Sequence, residues 1–207
     1  DHFMLKEIME QPDVINATIS PRLDGYDLNL DNIEFSEEYL KNLNKISIVA
    51  CGSAYHVGCA VKYFMEDVLR KSVEVDIASE FRYRNPIIDK NTLVIIISQS
   101  GETADSIAAL REAKAKGARV LSVVNVMGST IANESNDVIY TYAGPEIAVA
   151  TTKAYSAQLV AFYLLTLKLG VLSGNLSEEE FKKIIDNLKE ISSKISVILE
   201  KNEEILS

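Results

Sequence analysis

The stretch Ser98-Gln99-Ser100-Gly101-Glu102-Thr103 sets three hydroxyls and one carboxamide around a glycine. Hydroxyls of this kind, with backbone N–H groups that a glycine lets come close, are groups that hold an oxyanion. The flanking residues give them a position. A β-branched run at 93–97 leads in, and Ala104-Asp105-Ser106-Ile107-Ala108-Ala109-Leu110 reads as the start of a helix. The first turn of a helix leaves N–H groups without partners and carries partial positive charge. Strand, small polar loop and helix start together predict a site for a phosphate carried on a small polar molecule.

A second junction of the same type follows residues 46–50, where Cys51-Gly52-Ser53-Ala54 ends a strand in a small-residue turn. A third loop, Ile147-Ala148-Val149-Ala150-Thr151-Thr152-Lys153, opens a long helix and offers backbone contacts to a ligand hydroxyl. Each loop read alone is also an ordinary capped helix start. The remaining candidates are weaker. Cys51 reads as a small buried residue, His56 as packed or exposed, and His2 as solvated near a terminus. Glu102 is either a general base or a first-turn carboxylate favoured by the helix dipole. Lys153 is either a counter-charge for phosphate or a surface lysine. Glu80, Arg82 and Arg84 form either an interface ion-pair set or a solvated charge run.

Five apolar runs position these loops: 46–50, 73–78, 93–97, 120–125 and 138–142. Each is rich in Val and Ile, as in a parallel sheet covered on both faces. Helical spacing of Ala54, Val57, Val61, Met65 and Val68, and of Ile107, Leu110 and Ala113, fills the intervals, with Lys116-Gly117 as a stop. The pattern predicts an α/β fold: a three-layer, doubly wound, five-stranded parallel sheet in the flavodoxin-like order 2-1-3-4-5. In that order the loops after the first and third strands flank one crevice. Residues 79–86 read as irregular. A helix is expected from 151 to about 169, ended by Gly170, and residues 3–9 are expected to be helical, with Pro12 interrupting or restarting the helix. Ser177-Glu178-Glu179-Glu180 is a capping box. Behind it Phe181, Ile184, Ile185, Leu188, Ile191, Ile195 and Ile198 make an apolar stripe expected to face a core.

The 207 residues are 47% hydrophobic and 25% charged, ordinary globular composition. A net charge of −9 excludes sequence-independent nucleic-acid binding. The two cysteines, Cys51 and Cys59, match no zinc or redox spacing, which suggests a reducing, cytoplasmic setting. Residues 1–7 are polar and mixed, unlike a signal peptide. The apolar run at 159–167 falls short of the ~20 residues of a membrane span and reads as a buried helix. The absence of Met at position 1 hints at a piece of a longer chain. There is no paired-His metal site, no triphosphate loop and no dinucleotide fingerprint, so no metal or cofactor is expected.

Cys51-Gly52-Ser53-Ala54-Tyr55, Glu80-Phe81-Arg82-Tyr83-Arg84, Ser98-Gln99-Ser100-Gly101-Glu102-Thr103-Ala104-Asp105 and Ala150-Thr151-Thr152-Lys153-Ala154 resemble the sugar-isomerase (SIS) domain family. Within it, the segment 3–12 and residues 80–84 resemble the first of the two SIS domains of aminotransferases that make glucosamine 6-phosphate from fructose 6-phosphate and glutamine. The resemblance implies that Ser98, Gln99, Ser100 and Thr103 hold a sugar phosphate, that Ser53 assists, and that Val149 and Thr151 contact the sugar. Ala54 stands where some relatives have serine, and Thr151 where serine is common. It implies a homodimer in amino-sugar biosynthesis, with a helical lead-in at 1–35, a SIS domain at 36–175 and a C-terminal helix at 176–207 leading to a second such domain. The isomerase Glu, Lys and His of the family belong largely to that second domain and a partner subunit. No catalytic residue is therefore assigned in this chain, and the chain alone is expected to be inactive in synthesis. A sugar-phosphate sensor and a stand-alone phosphosugar isomerase are the alternatives.

Overall fold

Two short helices lead in, α1 (Phe3–Met9) and α2 (Gln11–Ile19), in a computed structural model that describes residues 2–30, 33–202 and 204. Pro12 lies in the first turn of α2, where its missing N–H costs nothing, so it restarts the helix. A hairpin, β1 (Leu23–Asp24) with β2 (Asp27–Leu28), and α3 (Glu37–Asn42) precede the main sheet. The α/β units then run β3 (Lys45–Ala50), α4 (Ser53–Leu69), β4 (Ser72–Ile77), α5 (Ala78–Tyr83), β5 (Thr92–Ser98), α6 (Ala104–Ala115), β6 (Arg119–Val124), α7 (Thr130–Glu134) and β7 (Asp137–Tyr140). Two long helices, α8 (Lys153–Leu172) and α9 (Glu178–Leu199), follow. Of the expected lead-in and C-terminal segments, residues 1, 31, 32, 203 and 205–207 lie outside the described residues.

The sheet order is β4-β3-β5-β6-β7, all parallel, which is the expected 2-1-3-4-5. Alternate strand residues face opposite layers. Ile46, Ile48, Ala50, Leu93, Ile95 and Ile97 meet α4, α8 and α9 in one core. Val49, Val94, Ile96, Val120 and Val124 meet α5, α6 and α7 in the other. Both faces are covered, which is why the strands read as continuous apolar runs. Within 79–86 only α5 is regular, and it ends at Tyr83.

The α9 stripe divides. Phe181, Ile185 and Leu188 are buried in the core, Ile184, Ile191 and Ile195 are half-buried against it, and Ile198 is exposed. The capping box is present: Ser177 Oγ accepts from Glu180 N, and the Glu180 carboxylate accepts from Ser177 N.

One expectation about α8 needs correction. Gly170 does not end it; the helix runs on to Leu172. The glycine is there for close packing, because a Cβ on it would stand 2.5 Å from Val68 Cγ1 and 3.2 Å from Leu176 Cβ. Its 20 residues are also long and apolar enough to cross a membrane by length and composition. Yet α8 lies inside the molecule, packed by α2, α4 and α9. We expect Gly170→Ala to lower stability by about 1–3 kcal/mol, since a stiff valine on the facing helix must move and this outweighs the helix propensity gained. Urea denaturation measures it; an unchanged midpoint would refute the close-packing role.

Candidate functional site

The β3–β5 pairing runs in register from Lys45↔Thr92 to Ala50↔Ile97, so Cys51 and Ser98 leave the sheet side by side. Their chains then part, α4 packing on one face and α6 on the other. A cavity of about 150 Å³ opens between them, lined by Ser53, Ser98, Gln99, Ser100, Thr103 and Thr151, with Cys51, Ala54, Ile97 and Gln158. Six of the seven residues expected to bind substrate thus meet at one place. Val149 is the exception: it is fully exposed and does not line the cavity. A wider cleft of about 640 Å³ adjoins along Gln99, between the ends of β6 and β7. A third groove, about 380 Å³, lies between the β1–β2 hairpin, α8 and α9 and shares no residue with the cavity.

The 98–103 loop is closed from within. Ser98 is buried, and its Oγ accepts from Gly101 N at 3.0 Å and lies 3.2 Å from Thr103 Oγ1. Ser100 Oγ accepts from Glu102 N at 3.2 Å. Gly101 has φ +68°, and a Cβ there would collide with Ser129, so both conformation and space require glycine.

The helix starts differ in a way that matters for an anion. Neither Gly52 before α4 nor Thr103 before α6 caps its helix with a side chain. The start of α8 is occupied, because Glu146 Oε1 accepts from Thr152 N at 3.0 Å and Ala154 N at 3.2 Å. No residue lining the cavity is charged. The site therefore offers hydroxyls and two helix starts without side-chain caps. The one first-turn carboxylate, Asp105 of α6, is drawn off by Arg82 at 2.8 Å, which leaves the chemistry of an uncharged anion cradle.

Compared with known families, residues 39–168 match the SIS domain. The chain belongs to the SIS domain family. It is 58% identical over 204 residues to a Clostridium tetani protein named glutamine–fructose-6-phosphate aminotransferase [isomerizing], covering 98% of this chain and 34% of that one. A relative of the same name from Caldanaerobacter subterraneus subsp. tengcongensis is 51% identical over 206 residues, covering 99% of this chain and 34% of that one. Among solved structures, the C-terminal domain of glucosamine-fructose-6-phosphate aminotransferase from Francisella tularensis superposes with TM-score 0.92 at 37% identity, covering 99% of this chain and 57% of that chain. The chain thus spans about a third of the length of the curated relatives it matches.

Several candidates in this SIS domain are placed elsewhere by the structure. Glu102 is neither a base at the cavity nor a first-turn residue of α6. It turns away to cap α7, accepting from Thr130 N at 2.6 Å and Thr130 Oγ1 at 2.8 Å. Those bonds hold its carboxyl below the ordinary carboxylate range. Lys153 is neither a phosphate counter-charge nor a surface lysine. It is buried and pairs with Glu10 at 2.7 Å, holding the Glu10 carboxyl low. Arg82 pairs with Asp105 and Arg84 with Asp76 within the chain, while Glu80 is exposed. His2 and His56 are exposed, and Cys51 lies half-buried, 3.8 Å from Ser106 Oγ. Among the described residues no cluster of His, Cys, Asp or Glu forms a metal site.

Sequence reasoning passed over three residues that shape the site. Buried Glu7 on α1 accepts from Ile147 N at 2.6 Å and from Ala148 N at 3.3 Å, tying the third loop to the lead-in helices. Glu146 holds the start of α8, and Gln158 reaches the cavity wall. A lone Gln in an apolar helix was the available signal for Gln158; Glu7 gave none, because its partners lie 140 residues away.

Because Glu102 titrates below its unfolded value, its contribution is present above the ordinary carboxylate pKa and is lost as pH falls through its folded value. Glu102→Ala should therefore be less stable than wild type at neutral pH, with the gap closing below the ordinary carboxylate range. Urea denaturation across pH measures this; a gap independent of pH would show that Glu102 does not cap α7 as an anion.

Proposed function

We propose that the cavity between the β3 and β5 loops holds the phosphate of a sugar phosphate, fructose 6-phosphate or glucosamine 6-phosphate. On this reading the chain is the sugar-phosphate-binding part of an enzyme that makes glucosamine 6-phosphate from fructose 6-phosphate and glutamine. The observation that carries it is the uncharged lining of hydroxyls at two uncapped helix starts. The names of relatives that match nearly all of this chain supply the substrate class.

Ser98 holds the loop in shape while Ser100, Thr103, Gln99 and Ser53 reach the phosphate. Thr151 meets the sugar by its hydroxyl. Val149, with its side chain outside the cavity, meets it by its main chain. Such a cradle binds a doubly charged group without an ion pair, because aligned backbone dipoles act at short range in a partly dry cavity. None of the groups at the cavity is an acid or base suited to isomerisation. Glu102 is engaged at α7 and His56 is exposed, which weighs against a stand-alone isomerase. The catalytic step belongs largely to a second SIS domain, toward which the helix at 176–207 leads, and to the partner subunit of a cytoplasmic homodimer, with residues 1–35 as the lead-in. The purified chain is expected to form no glucosamine 6-phosphate.

Isothermal titration calorimetry tests the binding reading. Fructose 6-phosphate and glucosamine 6-phosphate should bind and unphosphorylated fructose should not. Replacing Ser100 and Thr103 together by alanine should weaken binding at least about tenfold, since hydrogen bonds to a charged group contribute ~1.5–3 kcal/mol each. A folded wild-type chain that binds neither phosphosugar would overturn the proposal.

A further inference from the structure

One oxygen at the cavity is not suited to holding a phosphate. Gln158 lies in the second turn of α8, in a stretch that is otherwise apolar. Only 2% of it is exposed, it lines the cavity, and its Oε1 has no hydrogen-bond partner. A buried acceptor left unpaired costs about 1–3 kcal/mol, and folded proteins pair nearly all such groups. Leu or Met would fill the same space with no such cost. The unpaired oxygen is thus explained by a partner that arrives with the ligand.

The chemistry of that partner follows from the atom. A fully ionised phosphate ester has only acceptor oxygens, so Oε1 has no hydrogen to take from it. Among the other polar groups lining the cavity, the hydroxyls of Ser53, Ser100 and Thr103 can donate to the phosphate. A carbonyl oxygen beside them is suited to an O–H donor. We infer that Gln158 Oε1 accepts a hydrogen bond from a hydroxyl on the carbon chain of the ligand, and so distinguishes a sugar phosphate from bare phosphate. The inference rests on the sugar-phosphate reading and adds to it a residue that selects the polyol. It places the phosphate against the α4 and α6 starts and turns the sugar toward α8.

The test is calorimetry on the whole chain with two probes, fructose 6-phosphate and inorganic phosphate. Gln158→Met keeps the volume and removes the acceptor. It should raise the Kd for fructose 6-phosphate about five- to tenfold, the loss of one buried hydrogen bond. It should move the Kd for inorganic phosphate less than about twofold, because bare phosphate seated at the α4 and α6 starts brings no carbon-chain hydroxyl to Oε1. Its melting temperature should not fall, because an unpaired polar atom has been removed from the interior. Gln158→Leu carries the same expectation and serves if the Met variant does not fold. An unchanged fructose 6-phosphate affinity would overturn the inference alone and leave Gln158 satisfied by water. Equal weakening of both probes would also overturn it, assigning Gln158 to support of the cradle. A folded wild-type chain that binds no fructose 6-phosphate would overturn the sugar-phosphate reading, and the inference with it.

Discussion

The hydrogen-bonded ladder between β3 and β5 is the constraint on which the site depends. Two parallel neighbours cannot be joined by a tight turn, so each strand leaves the sheet into its own helix. The chain after β3 crosses to one face through α4, and the chain after β5 crosses to the other through α6. Right-handed crossovers running outward in both directions leave a gap at the point where strand order reverses. The register, with Ala50 opposite Ile97, brings Cys51 and Ser98 to that gap together. A slip by one residue would turn every side chain of one strand to the wrong layer, and the apolar burial on both faces forbids it.

The electrostatics of the gap depend on where the carboxylates go. A protein with net charge −9 can present an anion site only if its acids are kept out of it. Here Glu102 at α7, Glu146 at α8, and Glu7 at residues 147 and 148 are engaged with backbone amides, and Asp105 at the start of α6 pairs with Arg82. None of these carboxylates lines the cavity, and each is held by donors of its own. The starts of α4 and α6 are left without side-chain caps. The same interaction, an oxygen acceptor on helix-start amides, is thus made by the protein at α7 and α8 and is not made by an N-cap side chain at α4 or α6.

The lead-in helices belong to the same arrangement. Glu10 meets buried Lys153, Gln11 meets Ser156, and Glu7 holds the loop before α8. An ammonium buried at the start of a helix opposes the helix dipole. Its pairing with Glu10 offsets that cost, and removing either partner would leave an uncompensated charge. The third loop is thereby held from outside the α/β layers, by residues far from it in the chain.

Local and periodic information in the chain was enough for much of this. The Val and Ile runs at 46–50 and 93–97, the helical spacing between them, the capping box at Ser177 and the restart at Pro12 depend on neighbours within a few residues, and all were legible. So was the cradle loop, because its hydroxyls, its glycine and its helix start are contiguous. Gly170, Lys153, Glu102 and Gln158 were not, for one shared reason. What each does is set by a partner remote in sequence: Val68 for Gly170, Glu10 for Lys153, Thr130 for Glu102, and the cavity wall for Gln158. The amino-acid sequence by itself determined the layers, the strand order and the family, since these follow from burial pattern and local geometry. Only the tertiary structure decided which polar side chains are engaged within the protein and which remain free to meet a ligand, because hydrogen-bond partners are chosen in space.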